Sequence, residues 1–139
     1  MKKDIAFLPV EGVKIAVARE NNAESGFDWR VYLLNRNEVA LSNVFVTSKG
    51  YESRAEGKSE DEPLKTSTLR HMFAQVEPQG FVIVEGIDPA VFHLYNEYWV
   101  SYYIGGQIYD KKFIFVPESI TEENLIPIAQ LGLEGVLHD

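Results

Sequence analysis

The sequence predicts an all-β protein, an antiparallel β-sandwich of seven to eight strands with a short C-terminal helix. Three observations carry that prediction. The aromatic residues, seven Tyr, eight Phe and two Trp, cluster in short runs with Val and Ile, side chains that suit a pleated, half-buried surface. Turn-forming residues interrupt the apolar runs at short intervals. The segment Tyr95 to Val116, YNEYWVSYYIGGQIYDKKFIFV, reads as a long hairpin whose strands meet at Gly105-Gly106. Alternating βα units are absent, which disfavours a parallel sheet.

The elements follow in order. Ile5 to Val10 is an apolar run ended by Pro9 and Gly12. In Val13 to Arg19, Val13, Ile15 and Val17 share one face, the period of a half-buried strand. Glu20 to Gly26, ENNAESG, is a polar loop. Asp28 to Leu34 places Trp29, Val31 and Leu33 on one face and Arg30, Tyr32 and Leu34 on the other. Asn35 to Glu38 is a turn with Asn where left-handed backbone is tolerated. Val39 to Ser48 loses its period of two between Leu41 and Val44, so a bulge near Ser42-Asn43 is expected. The strand pair DWRVYLLN and ALSNVFVTS resembles an immunoglobulin-like sandwich, a likeness of fold that implies no function.

Residues 49–63 are almost devoid of apolar side chains and read as a mobile charged loop. Leu64 to Val76 fits either a strand or a helix, and Thr66-Ser67-Thr68 with Pro78 favours the strand. Glu77-Pro78-Gln79-Gly80 is a turn, and Phe81 to Glu85 a short buried strand. Asp88-Pro89 can open a single helical turn, with Asp88 as the N-cap. After the hairpin, Ser119 to Glu122 matches a capping box, and a helix from Thr121 to Leu131, broken at Pro127, is expected. The chain thus reads as a single domain over residues 1–139, a sandwich over 1–117 with a helical appendage over 118–139.

Composition narrows the function classes. The net charge is −8, and the 13 Lys and Arg are scattered with none after Lys112, which speaks against nucleic acid as a partner. The absence of cysteine excludes disulfides and thiol chemistry. Met1-Lys2-Lys3 is followed at once by Asp4, and the next apolar run is too short for a signal peptide. No run is long enough for a membrane span, so a cytoplasmic protein without a membrane partner is expected.

Catalytic motifs are weak. The Gly105-Gly106 pair lacks the Lys-Ser or Lys-Thr and the helix of a phosphate loop, and no serine lies in a nucleophile elbow. Glu85, Asp88, His93 and Glu97 form the one local group of metal-ligand type, but without repeated spacing, and no metal or cofactor is expected. His71, on a strand, reads as a structural histidine. A carboxylate and imidazole site near Glu85, His93 and Glu97, beside Trp99, is the enzyme alternative, for a small molecule or carbohydrate.

A two-residue turn at Gly105-Gly106 sets the hairpin register. Trp99, Ser101, Tyr103, Ile108, Asp110 and Lys112 share one face; Tyr98, Val100, Tyr102, Tyr109, Lys111 and Phe113 share the other. The aromatic surplus makes Trp99, Tyr103, Tyr109 and Lys112 the candidate ligand-binding residues. A non-catalytic binding or protein-interaction module is the expected function, with a protein, a small molecule or a glycan as partner. Homodimerisation through the hairpin is its simplest form.

Overall fold

The computed structural model describes residues 8–52 and 65–139, which form two antiparallel sheets packed as a β-sandwich. Nine strands occur among the described residues: β1 (Val13–Asn22), β2 (Gly26–Asn35), β3 (Leu41–Tyr51), β4 (Leu69–Val76), β5 (Phe81–Gly86), β6 (Tyr95–Ile104), β7 (Gln107–Phe115), β8 (Ile126–Ile128) and β9 (Leu133–His138). One sheet has the order β5-β2-β1-β9-β8, the other β4-β3-β6-β7. The first, second and fifth strands therefore share a sheet while the third, sixth and seventh share the other, the partition of an immunoglobulin-type sandwich. The fourth strand joins the second group, and β8 and β9 extend the first beyond β1.

The core lies between the sheets and follows from the period of two. Val13, Ile15 and Val17 of β1, Val31 and Leu33 of β2, Val44 and Val46 of β3, and Val100 of β6 are all buried in one cluster. The expected bulge in β3 is present: Ser42 pairs with Tyr103 but Phe45 with Ser101, and Asn43 adopts φ 47°. That extra residue lets Leu41 and Val44, three positions apart, both point inward. The Glu77–Gly80 turn is closed by Gly80 N–H donating to the Glu77 carbonyl, with Gln79 at φ 57°. Asp88 caps the 3-10 turn Pro89–Val91 by accepting from Ala90 N–H at 2.9 Å.

The hairpin register is the one the glycine pair implies. Ile104 lies opposite Gln107, Tyr102 opposite Tyr109 and Trp99 opposite Lys112. Gly105 and Gly106 have φ of 56° and 82°, both in the left-handed region of a type I′ turn. Nothing lies within 4 Å of a Cβ added at either glycine, so substitution strains the backbone without a clash. Gly105→Ala is expected to lower stability by ~1 kcal/mol, read as a shift of the urea midpoint at unchanged slope.

Three expectations need correction. Among residues 118–139 there is no α-helix: Glu122–Asn124 is a single 3-10 turn, and the rest supplies β8 and β9. Thr121 stands at the cap position but makes no side-chain capping bond. The segment is no appendage, because β9 pairs along β1 from Ile15–His138 to Arg19–Glu134, and Ile120, Ile128 and Val136 are buried. Local capping signals lose to the partner that β1 offers on its free side. Arg19 reinforces this join: its guanidinium lies 3.9 Å from the Phe27 ring centroid and bonds Glu122 and Glu134. The hydrogen bond to Glu122, with the charges of both acids, holds the Arg19 pKa above its usual value. Second, Leu8 to Val10 is not a strand; the remainder of the expected Ile5 to Val10 strand lies outside the described residues. Third, the start of the expected charged loop belongs to β3, which continues through Tyr51, and positions 53–63 lie outside the described residues. No helix among the described residues is long and apolar enough to cross a membrane.

Candidate functional site

Two surfaces concentrate the chemistry. The first is the outer face of the four-stranded sheet, formed by the residues that alternate with buried Val46, Tyr98, Val100 and Tyr102. Phe45 and Trp99 are each 47% exposed there and Met72 is 68% exposed. Phe45 lies opposite Met72 on β4 and Trp99 opposite Thr47 on β3, which makes Phe45 and Trp99 diagonal neighbours. Diagonal pairs on one face are about 7 Å apart, within reach of aromatic side chains. The three therefore lie close together on this face.

The sequence-derived binding residues divide between the two sides of this sheet. Trp99, Tyr103 and Lys112 share the outer face. Tyr109 does not join them: its ring stacks on buried Tyr102 at 5.1 Å and packs against the core. Trp99 is held in place, its indole N–H donating to Asp110 and the Lys112 ammonium lying 4.7 Å from the ring centroid. On the same face, Glu97 accepts from the Tyr51 hydroxyl at 3.0 Å and pairs with the Lys49 ammonium at 3.7 Å. Burial, and then the bond to Glu97, raise the Tyr51 pKa.

The second surface is a cleft of about 310 Å³ where β3 and β6 of one sheet meet β5 of the other. Its central group is Glu85. In an unbroken strand Glu85 would face outward with Phe81 and Ile83. The pairing of β5 with β2 slips instead: Ile83 lies opposite Tyr32 but Glu85 opposite Val31, leaving Val84 as an extra residue. This bulge turns Glu85 inward alongside buried Val84. There its Oε1 accepts from the Ser48 hydroxyl at 2.7 Å and lies 2.6 Å from His71 Nε2. A carboxylate only accepts, so that nitrogen carries the proton. The contact ties β4 to β5 as they leave their turn for different sheets.

Glu85, His93 and Glu97 are not brought together. Glu97 is on the outer face, Glu85 is between the sheets, and His93 is exposed in the segment before β6. The enzyme alternative built on those three residues loses its geometry. Nor do Ser48 and His71 form a nucleophile and its base, since both bond the same carboxylate oxygen and, among the described residues, not each other. Among the described residues no three His, Asp or Glu side chains gather to hold a metal ion.

The sequence pointed to Glu85 for the wrong company. That Ser48 and His71 would meet Glu85 was not legible, because the meeting depends on a sheet-to-sheet contact and on a bulge invisible in FVIVEG. The one local trace was parity, since Ser48 falls on the inward phase of Val44 and Val46. No family model matches the chain, and comparison with curated proteins and with solved structures finds no significant match.

Proposed function

We propose that the protein is a non-catalytic protein-interaction module that engages its partner through the outer face of the four-stranded sheet. The observation that supports this most is the exposure of Phe45, Met72 and Trp99 at neighbouring positions of this face. Aromatic residues, Met and Arg are the types enriched in interface centres.

Charge favours one class of partner. Asp110 and Glu97, the acids of this face, are already engaged by Trp99 and by Tyr51 and Lys49. Arg70 and Lys112 flank the patch, on a chain whose net charge is −8. Two copies placed face to face would oppose these cations, so an acidic protein segment bearing apolar side chains fits better than a second copy. A stacked sugar fits less well, because Lys112 occupies one side of the indole and Asp110 takes its N–H.

A short peptide alternating Glu with Phe or Leu, and the same peptide with Lys replacing Glu, separate the readings. The acidic peptide is expected to bind, weakening with salt, and to lose affinity at least tenfold on Trp99→Ala. Equal binding of both peptides, or no effect of Trp99→Ala, overturns the proposal. Sedimentation showing a dimer that Trp99→Ala dissociates would replace the acidic partner with a second copy.

A further inference from the structure

We propose that the cleft between β3, β5 and β6 binds a small primary ammonium compound through Glu85 and Tyr98. The site is independent of the outer sheet face, so either proposal can fail alone.

Two acceptors in this cleft lack partners among the described residues. Glu85 has Oε1 saturated by Ser48 and His71, whereas its Oε2 has no hydrogen bond from any described residue. The side chain is 14% exposed and lines the cleft. Tyr98 also lines it, is 2% exposed, and its hydroxyl makes no hydrogen bond among the described residues. Burial first, and then the charge of Glu85, raise the Tyr98 pKa, so the phenol stays neutral and its oxygen can accept.

Charge selects the ligand. Asp88 at the rim adds a second carboxylate, while Lys49, the lysine nearest along β3, has its ammonium directed to Glu97 on the outer face. Among the described residues no other Lys or Arg lines the cleft. A neutral polyol would leave Glu85 Oε2 without a charged donor, and an anion would be repelled by Glu85 and Asp88. An ammonium group has three N–H donors, enough for Glu85 Oε2, Tyr98 Oη and one water. Leu69, Ile87 and Val91 provide apolar wall for a short alkyl chain. The cleft volume equals about ten waters at ~30 Å³ each, which sets the size of the guest.

The walls are built rather than incidental. Asn96, buried, donates from Nδ2 to the carbonyls of Val91 and Leu94 at 3.0 and 3.2 Å, fixing that side. Thr66 Oγ1 accepts from Gly50 N–H at 2.8 Å on the opposite side.

The test is an amide NMR titration of the full chain with n-butylammonium, n-butanol and butyrate. Butylammonium is expected to give saturable shifts at Ser48, Gly50, Glu85 and Ile87, with butanol and butyrate at least tenfold weaker. Glu85→Gln should weaken butylammonium at least tenfold, and Trp99→Ala should leave it unchanged. Equal binding of butanol, non-saturating shifts spread over the surface carboxylates, or an unaffected folded Glu85→Gln variant overturns the proposal. Should Glu85→Gln not fold, the comparison of cation with isosteric alcohol on the unaltered protein decides alone.

Discussion

Gly135→Val is expected to destabilise the protein by more than ~3 kcal/mol, visible as a thermal midpoint lowered by roughly 10 °C. Gly135 of β9 lies opposite Ala18 of β1. A Cβ built there would stand 2.8 Å from Ala18 Cβ, 2.8 Å from the Val17 carbonyl oxygen and 2.9 Å from Ala18 Cα. Two of those atoms are backbone, so no rotamer change relieves the contact. Across an antiparallel pair, Cβ atoms ordinarily sit about 4.5–5.5 Å apart. The strands therefore approach more closely here than any side chain permits, and β9 must move away from β1. Calorimetry checks the magnitude; a variant within ~1 kcal/mol of the parent would show that β9 can shift freely.

Asn35→Ala is expected to cost about 2–4 kcal/mol, measured by urea unfolding. Asn35 is fully buried at the end of β2. Its Nδ2 donates to the carbonyls of Val39, Val76 and Glu77 at 2.9, 3.3 and 3.1 Å, and its Oδ1 accepts from Asn37 N–H and Nδ2 at 3.0 and 3.1 Å. One amide thus joins the end of β2, the β2–β3 connection and the end of β4. Removing it strands several peptide groups at once, and water reaches them only if the turn opens. Asn35→Asp separates the two halves of the role: Oδ1 still accepts, but the donor is gone and a negative charge faces carbonyls. It should be at least as damaging as alanine.

How much of this was legible in the sequence varies with the range of the interaction responsible. The 95–116 register could be read because a two-residue turn with both φ angles positive admits few pairings, and Gly105-Gly106 is built for it. The β3 bulge left a trace in the broken period between Leu41 and Val44. The Asp88 cap and the Glu77–Gly80 turn are also local, set within four residues. Residues 118–139 misled for the same reason: a capping pattern is local, and here the non-local pairing of β9 with β1 outweighs it.

The two candidate surfaces divide along the same line. Trp99 and Lys112 could be paired from sequence, being cross-strand neighbours in one hairpin. Phe45 and Met72 could not be added to them, because the order β4-β3-β6 is a matter of which strands choose each other. The Glu85 cleft was still less accessible. Its carboxylate faces inward only because β5 slips against β2 at Val84, and its partners come from β3 and β4 of the other sheet.

By itself, then, the sequence determined the all-β class, the turns and the hairpin, since alternation and glycine φ preferences act over a few bonds. The tertiary structure alone decided that the C-terminal segment is strand, that Tyr109 packs against the core and that Glu85 meets Ser48 and His71. Each of those outcomes is a choice between competing partners, and only the packed sheets bring the partners within reach.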